Sequence, residues 1–331
     1  MCPPFAWRRR SLRLARGSTW LAALLCLLSA VRSTAAESPW SVVRSGPGTL
    51  AIALEGQPFC EYRYADAEIS RPFFCNLTEP GGVRISRNHP PAPDDPQDHE
   101  LLHPGMWLAF GDLSGADSWR LTAPVKHVRF VQEPRVEGQE LRMAVENAYL
   151  QADGKTEVCR ETCVYRFLRT PAGALALWDS TFRSDQGPFG FGDQEELGLG
   201  VRLNRLVAVK GGAGGRILTS NGERNEKEAW SKMADWCDYS GQVGPKCVGM
   251  TIMPHPGNFR KSWCHCRDNG FMAMNPFGAN AFTQSDKSWV EVPAGKDFRL
   301  RYGVMVHWGD APCSYDPAAA FAAYVAAAGE D

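Results

Sequence analysis

Residues 141–182 have the sequence LRMAVENAYLQADGKTEVCRETCVYRFLRTPAGALALWDSTF, which indicates the fold class more strongly than any other stretch of the chain. It holds three runs rich in β-branched and aromatic residues, at 141–150, 156–169 and 174–182. Turn-forming residues separate them, Asp153-Gly154 and then Pro171-Ala172-Gly173. Long runs of this kind with turns between them predict antiparallel strands joined by hairpins.

The same pattern recurs along the chain and predicts an all-β fold, a large antiparallel β-sandwich. Further strands are expected at residues 126–131, 198–206, 248–253, 270–274 and 298–307. Only the C-terminal end indicates a helix, at residues 317–328. Asp316 can cap this helix, Pro317 suits its first position, and Phe321, Tyr324 and Val325 share one side. No linker is long enough to separate a pair of cores, so residues 37–331 are expected to form one domain.

Composition and the N-terminal segment limit the classes of function. The chain has 331 residues, 44% of them hydrophobic and 22% charged, with a formal net charge of -1. Such a chain can bury a large core and has no electrostatic reason to bind nucleic acid. Residues 1–36 run from arginine-rich through apolar to small residues, the order of a signal peptide. We therefore expect a secreted or periplasmic protein with no membrane span in its mature chain.

Nine of the eleven cysteines follow residue 36, and their spacing does not indicate a structural zinc site. Cys159 and Cys163 are four residues apart, and Cys264 and Cys266 are two apart, whereas such sites use paired C-x-x-C spacing. In strands, each of these pairs would share a face. We favour small buried side chains or scattered disulfides, whose pairing the sequence leaves open.

The first candidate for a functional site is residues 71–119, a proline-rich stretch with clustered histidines, carboxylates and tryptophans. His99-Glu100-Leu101-Leu102-His103 matches the zinc peptidase motif H-E-x-x-H, which requires a sustained helix. Pro96 and Pro104 leave room for barely two helical turns. We expect instead a loop that directs Asp98, His99 and His103 into a cleft. The alternative is a turn whose histidines bond only to the backbone.

The second candidate is residues 230–278, where tryptophan, histidine and arginine again cluster. If residues 263–267 form a strand, then Trp263, His265 and Arg267 lie on one face of it. An aromatic ring, an imidazole and a guanidinium on one face suit a sugar or carboxylate ligand. A buried face tied down by hydrogen bonds is the structural alternative.

The order of motifs across both stretches resembles that of the secreted bacterial proteins known as PmoA-like, or methane-oxygenase-like. The similarity extends from about Tyr62 to Asp310 and does not mean that the chain is the multi-span membrane methane monooxygenase. It implies a large β-sandwich of the kind common among carbohydrate-active proteins. The motifs are R-P-F-F, R-N-x-P-P, D-H with a later histidine and G-M-W, G-D-x-x-G-x-D-x-W, F-G-D-Q-E-E-L-G-L-G-V-R-L, D-W-C-D-Y-S-G, H-P-G-N-x-R, W-x-H-x-R and N-P-F-G.

The chain departs from this family's pattern at two histidine motifs. The family has D-H-x-H-H followed by a basic residue and glycine, whereas residues 98–105 are DHELLHPG. The family's D-H-P-S-N is here Pro254-His255-Pro256-Gly257-Asn258, which lacks the carboxylate beside His255.

Together these features predict an exported carbohydrate-active hydrolase or lyase whose partner is a carbohydrate or another small polar ligand. We expect His99, His103, His255 and His265 to line one cleft as acids or bases, with Asp98 or Glu196 supplying a carboxylate. A divalent metal on two or three of these histidines is a further alternative. The competing classes are a noncatalytic glycan-binding or structural sandwich and a mononuclear copper oxygenase. The expected ligand contacts are Arg71, Trp107, Tyr239, Asn258, Trp263, Arg267 and Asn275.

Overall fold

Two eight-stranded antiparallel sheets form most of the protein in this computed structural model, which describes residues 38–211 and 214–329. The predicted signal peptide, residues 1–36, lies outside the described residues. Within those described ranges, no helix combines the length and apolar character needed to span a membrane. The described residues belong to a single compact unit.

The strands and helices have the following bounds. In chain order the strands are β1 (Trp40–Gly46), β2 (Thr49–Leu54), β3 (Gln57–Arg63), β4 (Phe73–Cys75), β5 (Met106–Phe110), β6 (Val125–Glu137), β7 (Glu140–Leu150), β8 (Glu157–Thr170), β9 (Gly173–Arg183), β10 (Phe189–Phe191), β11 (Leu197–Arg202), β12 (Arg216–Thr219), β13 (Cys237–Val243), β14 (Lys246–Pro254), β15 (Trp263–Arg267), β16 (Phe271–Asn275), β17 (Val290–Val292) and β18 (Phe298–Asp310). The helices are α1 (Asn225–Ala229), α2 (Ala279–Thr283) and α3 (Pro317–Ala328).

The strand order confirms the predicted β-sandwich. The first sheet has the order β1-β2-β3-β4-β5-β11-β16-β15, and the second has the order β12-β13-β14-β18-β9-β8-β7-β6. All eight predicted strands are present, and the three in residues 141–182 pair as consecutive hairpins. One strand, β11, ends at Arg202 rather than Leu206, because residues 204–208 form a turn in which the Asn204 side chain accepts from the amide of Leu206.

The core lies between the sheets and follows the two-residue period of the strands. In β8, the alternate residues Cys163, Tyr165 and Phe167 are buried and face the core. Strands β5, β11 and β16 are instead buried on both faces. The outward side chains of β5 and β16 form a second, smaller apolar cluster with the chain segments that cover this side of the first sheet. This covered outer face is where the candidate site lies.

The C-terminal helix α3 has the predicted bounds and cap. The Asp316 carboxylate accepts from the amides of Ala318 and Ala319, which have no partner within the helix. Tyr324 is buried on the outer face of the second sheet, and Phe321 and Val325 pack beside it. A disulfide between Cys247 and Cys313 ties the segment before the helix to β14.

Candidate functional site

The candidate site is a cleft of about 300 Å³ on the outer face of the first sheet. Its lining combines three imidazoles, three carboxylates, three guanidiniums and an apolar region that includes Trp119 and Phe271. The nine ionisable groups come from four separate segments of the chain. They are His99, His103 and His265, then Asp98, Glu195 and Glu196, and finally Arg120, Arg202 and Arg267.

Strand β15 supplies one wall of the cleft, as its alternation predicts. Cys264 and Cys266 face the core, so His265 and Arg267 point to the opposite side and both line the cleft. Residues 263–267 therefore form the strand on which the shared face of Trp263, His265 and Arg267 depends. Trp263 shares their strand face, but its ring packs on Phe282, at 6.0 Å between ring centroids, and does not line the cleft.

The opposite wall is the loop of residues 96–103, which is held by one buried arginine. Arg87 is fully buried, and its guanidinium donates to the carbonyl oxygens of five loop residues. Nη1 donates to two of these oxygens and Nη2 to three, so the terminal nitrogens make all five bonds and one N–H group is shared between two acceptors. The acceptors are Pro96, Asp98, His99, Glu100 and His103.

The five residues that match H-E-x-x-H form a turn and not a helix. His99 has a φ of 51°, and its carbonyl accepts from the amides of both Leu102 and His103. The zinc peptidase geometry, which needs two histidines one helical turn apart, is therefore absent here. Asp98, His99 and His103 do line the cleft, as predicted for a loop, whereas Glu100 does not.

Three of the four predicted catalytic histidines gather around Phe271. His99 stacks on His103 with ring centroids 5.1 Å apart, and His103 stacks on Phe271 at 4.7 Å. His265 meets Phe271 edge to face at 4.8 Å. Burial, reinforced by the charge of Arg202, holds the pKa of His103 well below its ordinary value. His103 is thus a neutral imidazole in the wall of the cleft.

Glu195 contacts both ring nitrogens of His265. Nδ1 lies 3.1 Å from the Glu195 backbone carbonyl, which can only accept, so this nitrogen carries the proton. Nε2 then presents a lone pair 3.3 Å from a Glu195 carboxylate oxygen. Burial raises the pKa of Glu195 and lowers the pKa of His265 to about 3. Both shifts favour the neutral forms of the two groups, so a proton on the Glu195 carboxyl group would face the lone pair of Nε2.

The three carboxylates of the cleft are each paired with a guanidinium. Arg202 donates to both carboxylate oxygens of Asp98, at 2.8 and 3.0 Å. Burial alone would raise the pKa of Asp98, but the charge and hydrogen bonds of Arg202 bring it below its ordinary value. The other pairs are Arg120 with Glu196 at 2.6 Å and Arg267 with Glu195 at 3.3 Å. Each carboxyl group of the cleft therefore has a guanidinium as a fixed polar partner.

The structure places two predicted site residues away from the cleft. His255 follows the end of β14 in the second sheet, where its ring packs on Tyr324 of α3 at 5.9 Å and its Nδ1 accepts from the amide of Gly257. Asn258 bonds to the backbone N–H and carbonyl of Arg301. The prediction that His255 joins the other three histidines in one cleft is therefore wrong.

Other predicted ligand contacts are buried and support the site from behind. Trp107 stacks under His103 at 5.1 Å, and Arg71 donates to the carbonyls of Leu102, Ser118 and Trp119. The Tyr239 hydroxyl accepts from the amides of Val209 and Gly270 and donates to the Asp268 carbonyl. These three side chains have exposures of 2% or less, so a ligand cannot stack on them or bond to them.

Asn275 also lies behind the cleft but has a clear positioning role. Its side-chain amide donates to the carbonyls of Gln194 and Glu195, and its oxygen accepts from the amides of Phe277 and Gly278. All four of its hydrogen-bonding groups are used. Asn275 therefore fixes the chain that presents Glu195 to His265, rather than contacting a ligand.

Several cleft residues were missed by sequence reasoning, which chose Glu196 and passed over its neighbour Glu195. Arg202 also carried a signal, because β11 has the sequence LGLGVR and alternation puts Gly198, Gly200 and Arg202 on the outer face. At Gly200 a Cβ atom would lie 2.7 Å from the Trp107 ring. The outward positions of this strand therefore hold two glycines and a buried arginine, a pattern that could have drawn attention to this face of the sheet.

The described residues do not fit the divalent metal considered above. Within residues 38–211 and 214–329, no group of three or more histidine, cysteine, aspartate or glutamate side chains is arranged to hold a metal ion. His99 and His103 are stacked face to face, and Asp98 is engaged by Arg202.

Comparison with known proteins identifies a family but not an activity. No curated protein shows significant sequence similarity to the chain. Among solved structures, a galactose mutarotase-like protein from Lactobacillus casei is 10% identical, with 81% of this chain and 100% of that chain covered and a TM-score of 0.36. A galactose mutarotase-like protein from Clostridium acetobutylicum is 8% identical, with coverages of 80% and 93% and a TM-score of 0.37. These similarities carry no conclusion about activity. Residues 49–320 match the model of DUF6807, a family of unknown function, and the protein therefore belongs to the DUF6807 family.

Proposed function

We propose that the cleft binds a saccharide and cleaves a glycosidic bond by acid and base catalysis. The observation that carries this proposal is the pair of carboxyl groups, Glu195 and Asp98, in one cleft with opposite environments. Glu195 shares a proton with His265, whereas Asp98 is held ionised by Arg202. Glycoside hydrolysis needs this division between a protonated carboxylic acid and a carboxylate.

In this mechanism each carboxyl group has one role. Glu195 protonates the leaving oxygen, and His265 is placed to exchange a proton with Glu195 as the reaction proceeds. Asp98 acts on the opposite side, either as the base that activates water or as the nucleophile. Asn275 and Arg202 are positioning residues for Glu195 and Asp98, respectively.

The pairing of polar groups in the cleft supports a hydroxyl-rich substrate. Arg202 with Asp98 and Arg120 with Glu196 form two ion pairs, and Arg267 lies 3.3 Å from Glu195, which is protonated in this proposal. Paired Arg and Asp or Glu side chains present donors and acceptors side by side, which suits sugar hydroxyls. The hydrolase is favoured over the lyase because a protonated Glu195 and an ionised Asp98 match the two carboxyl roles of glycoside hydrolysis.

Buried rings support the proposed sugar site from beneath. Phe271 and Trp119 border the cleft with exposures of only 3% and 1%, so they do not offer a face for a sugar ring. Phe271 instead packs against His103 at 4.7 Å and His265 at 4.8 Å and holds both imidazoles in place. The proposed sugar contacts are therefore the polar groups at the edge of the cleft.

The test is a substrate screen with product detection that separates the reaction classes. Purified protein comprising residues 37–331 is incubated with neutral and uronate-containing oligosaccharides and aryl glycosides. New reducing ends without ultraviolet absorbance near 235 nm would support hydrolysis, whereas a product absorbing there would indicate a lyase. Saccharide binding by calorimetry with no product from any substrate would favour the noncatalytic glycan-binding alternative and defeat the hydrolase.

Export to the periplasm or the cell exterior belongs to the same proposal. It rests on the order of basic, apolar and small residues in positions 1–36. The full chain is expressed with its N-terminal segment, and the N-terminus of the exported product is sequenced. Cleavage near Ala35 or Ala36 is expected, and retention of the intact segment in the cytoplasm would contradict export.

A further inference from the structure

Cys237 and Cys264 bring two sulfur atoms together in the core of the sandwich. Their Sγ atoms lie 3.0 Å apart, and both side chains are fully buried. Unbonded heavy atoms pack at about 3.5–4.0 Å for carbon, and sulfur is larger than carbon. Cys237 begins β13 in the second sheet, whereas Cys264 lies in β15 of the first sheet. The contact therefore joins the two sheets.

We propose that Cys237 and Cys264 form a disulfide that links the two sheets of the mature protein. Each thiol loses its proton, the sulfur atoms bond, and the two electrons reduce the disulfide of an oxidant such as oxidised glutathione or a dithiol oxidase. Cys247–Cys313 requires the same class of oxidant, so the chain already needs one during folding. The inference does not depend on what the cleft binds.

Cys266 is the competing partner, and the geometry of the strand disfavours it. Cys264 and Cys266 are alternate residues of β15, so their Cα atoms are about 6.5 Å apart, near the upper limit for a disulfide. Both residues are also paired to β16, opposite Met274 and Met272, which holds the strand extended. Cys264 therefore bonds across the core to Cys237, and Cys266 remains a thiol.

Burial determines when the bond can form. The pKa of Cys237 is raised, mainly because burial disfavours the thiolate, and the thiolate is the form that reacts. In the folded protein both thiols are out of reach of a dissolved oxidant or reductant. The bond must form while the chain folds, and protein folded in reductant should keep the dithiol after the reductant is removed.

The bond lies directly behind the candidate site. Strand β15 is the last strand of the first sheet, where β16 pairs with one side of it and residues 231–234 hydrogen-bond to the start of its other side. It presents His265 and Arg267 to the cleft from positions that alternate with Cys264 and Cys266. A covalent link from Cys264 to the second sheet would restrain this edge. Amides of residues 263–267 should therefore exchange hydrogen more slowly in the oxidised protein than in the reduced protein.

Peptide mapping tests the bond in the wild-type chain. Protein comprising residues 37–331 is refolded in a glutathione redox buffer, alkylated in denaturant at low pH and digested without reduction. We expect a peptide pair joined through Cys237 and Cys264, with Cys247–Cys313 in the same digest as the internal control for oxidation. Recovery of Cys247–Cys313 together with alkylated Cys237 and Cys264, or of Cys264 joined to another cysteine, would overturn the proposal.

Alanine variants distinguish the stability lost with the disulfide from the stability lost when a buried thiol is removed. Cys237→Ala and Cys264→Ala should each lower Tm by roughly 5–10 °C, because both release the same closed loop. The double variant should lie close to the single variants, since the bond can be lost only once. Cys266→Ala is the matched control, which removes a buried thiol from the same strand face and should cost less. An equal loss from Cys266→Ala would contradict the proposal, and the peptide map stands on its own if a variant does not fold.

Discussion

The Nε2 atom of His265 lies 3.3 Å from the Glu195 carboxylate, although the two residues are 70 positions apart in the chain. The contact is made possible because Glu195 also offers its backbone carbonyl to Nδ1, at 3.1 Å. One residue thereby sets both the orientation and the tautomer of the imidazole. This contact between a carboxyl group and an imidazole is the chemical centre of the proposed function.

Glu195→Gln should abolish most of the proposed hydrolysis. The amide keeps the volume of the side chain but cannot donate a proton as a carboxylic acid does, so kcat should fall by roughly 100-fold to 10,000-fold. Initial rates on the best substrate of the screen provide the measurement. Glu100→Gln is the control, because Glu100 lies in the same loop as His99 but does not line the cleft. Full activity in Glu195→Gln would remove Glu195 from the mechanism.

Stability should decrease on acidification because His265 is buried in its neutral form. Burial lowers its folded pKa to about 3, whereas a histidine in the unfolded chain has a pKa of about 6.5. Between these values the unfolded chain binds a proton that the folded protein does not, so the free energy of unfolding falls as the pH falls. His265→Gln should show a shallower decrease in Tm between about pH 7 and pH 4.5. Equal slopes in the two proteins would contradict this assignment.

Local alternation was enough to predict one wall of the site. The strand sequence WCHCR places His265 and Arg267 on one face without any knowledge of the partner strand, and the structure confirms it. The proline residues around positions 96 and 104 correctly indicated a loop that presents Asp98, His99 and His103. Both features depend on the backbone geometry of only a few neighbouring residues, so they can be predicted from the sequence alone.

The positions of the other site residues could not be predicted, because they depend on which sheet each strand joins. His255 follows β14, which belongs to the second sheet and turns its outer face to α3, whereas β15 belongs to the first sheet. Strand alternation does not distinguish these outer faces, so His255 was wrongly grouped with His265. The same limitation hid the burial of Trp107 and Tyr239, since an aromatic residue suits both a core and a sugar site. Strands β1 to β5 were not predicted at all.

Arg87→Met should unfold the loop that carries Asp98, His99 and His103. The substitution removes a buried guanidinium that satisfies five loop carbonyls, and a lysine could not replace its planar set of donors. The free energy of unfolding should fall by about 3–5 kcal/mol, measured in urea. Arg44→Met is the control, because its ion pair with Glu133 is exposed and should contribute less than about 1 kcal/mol. Similar losses in both variants would refute the supporting role of Arg87.

Gly200→Ala should disturb the cleft from beneath. The new Cβ atom would lie 2.7 Å from the fully buried Trp107 ring, which stacks under His103. Such overpacking should cost about 1–3 kcal/mol of stability and reduce saccharide binding by displacing His103. Urea unfolding and calorimetry report these two effects. Gly46→Ala is the matched control, since a Cβ there meets nothing within 4 Å.

Asp238 of the D-W-C-D-Y-S-G motif should prove structural and not catalytic. It is fully buried on the second sheet, where its carboxylate accepts from the hydroxyls of Ser240 and Thr251 at 2.8 and 2.9 Å. Nε2 of His307 lies 2.9 Å from the same carboxylate, and the ring of Tyr315 stacks on His307. This polar network does not line the cleft, so it cannot contact the proposed substrate.

Asp238→Asn should therefore reduce stability while leaving turnover unchanged at temperatures well below Tm. The new amide N–H would face the buried groups that now bond to the carboxylate, the hydroxyls of Ser240 and Thr251 and the ring of His307. The free energy of unfolding, measured in urea, should therefore fall by about 3–5 kcal/mol. Asp235→Asn is a control from the same motif, because Asp235 is half exposed and paired with Lys261, so its loss should stay below about 1 kcal/mol. A specific loss of kcat in folded Asp238→Asn, without a change in Tm, would instead assign this motif to the catalytic machinery.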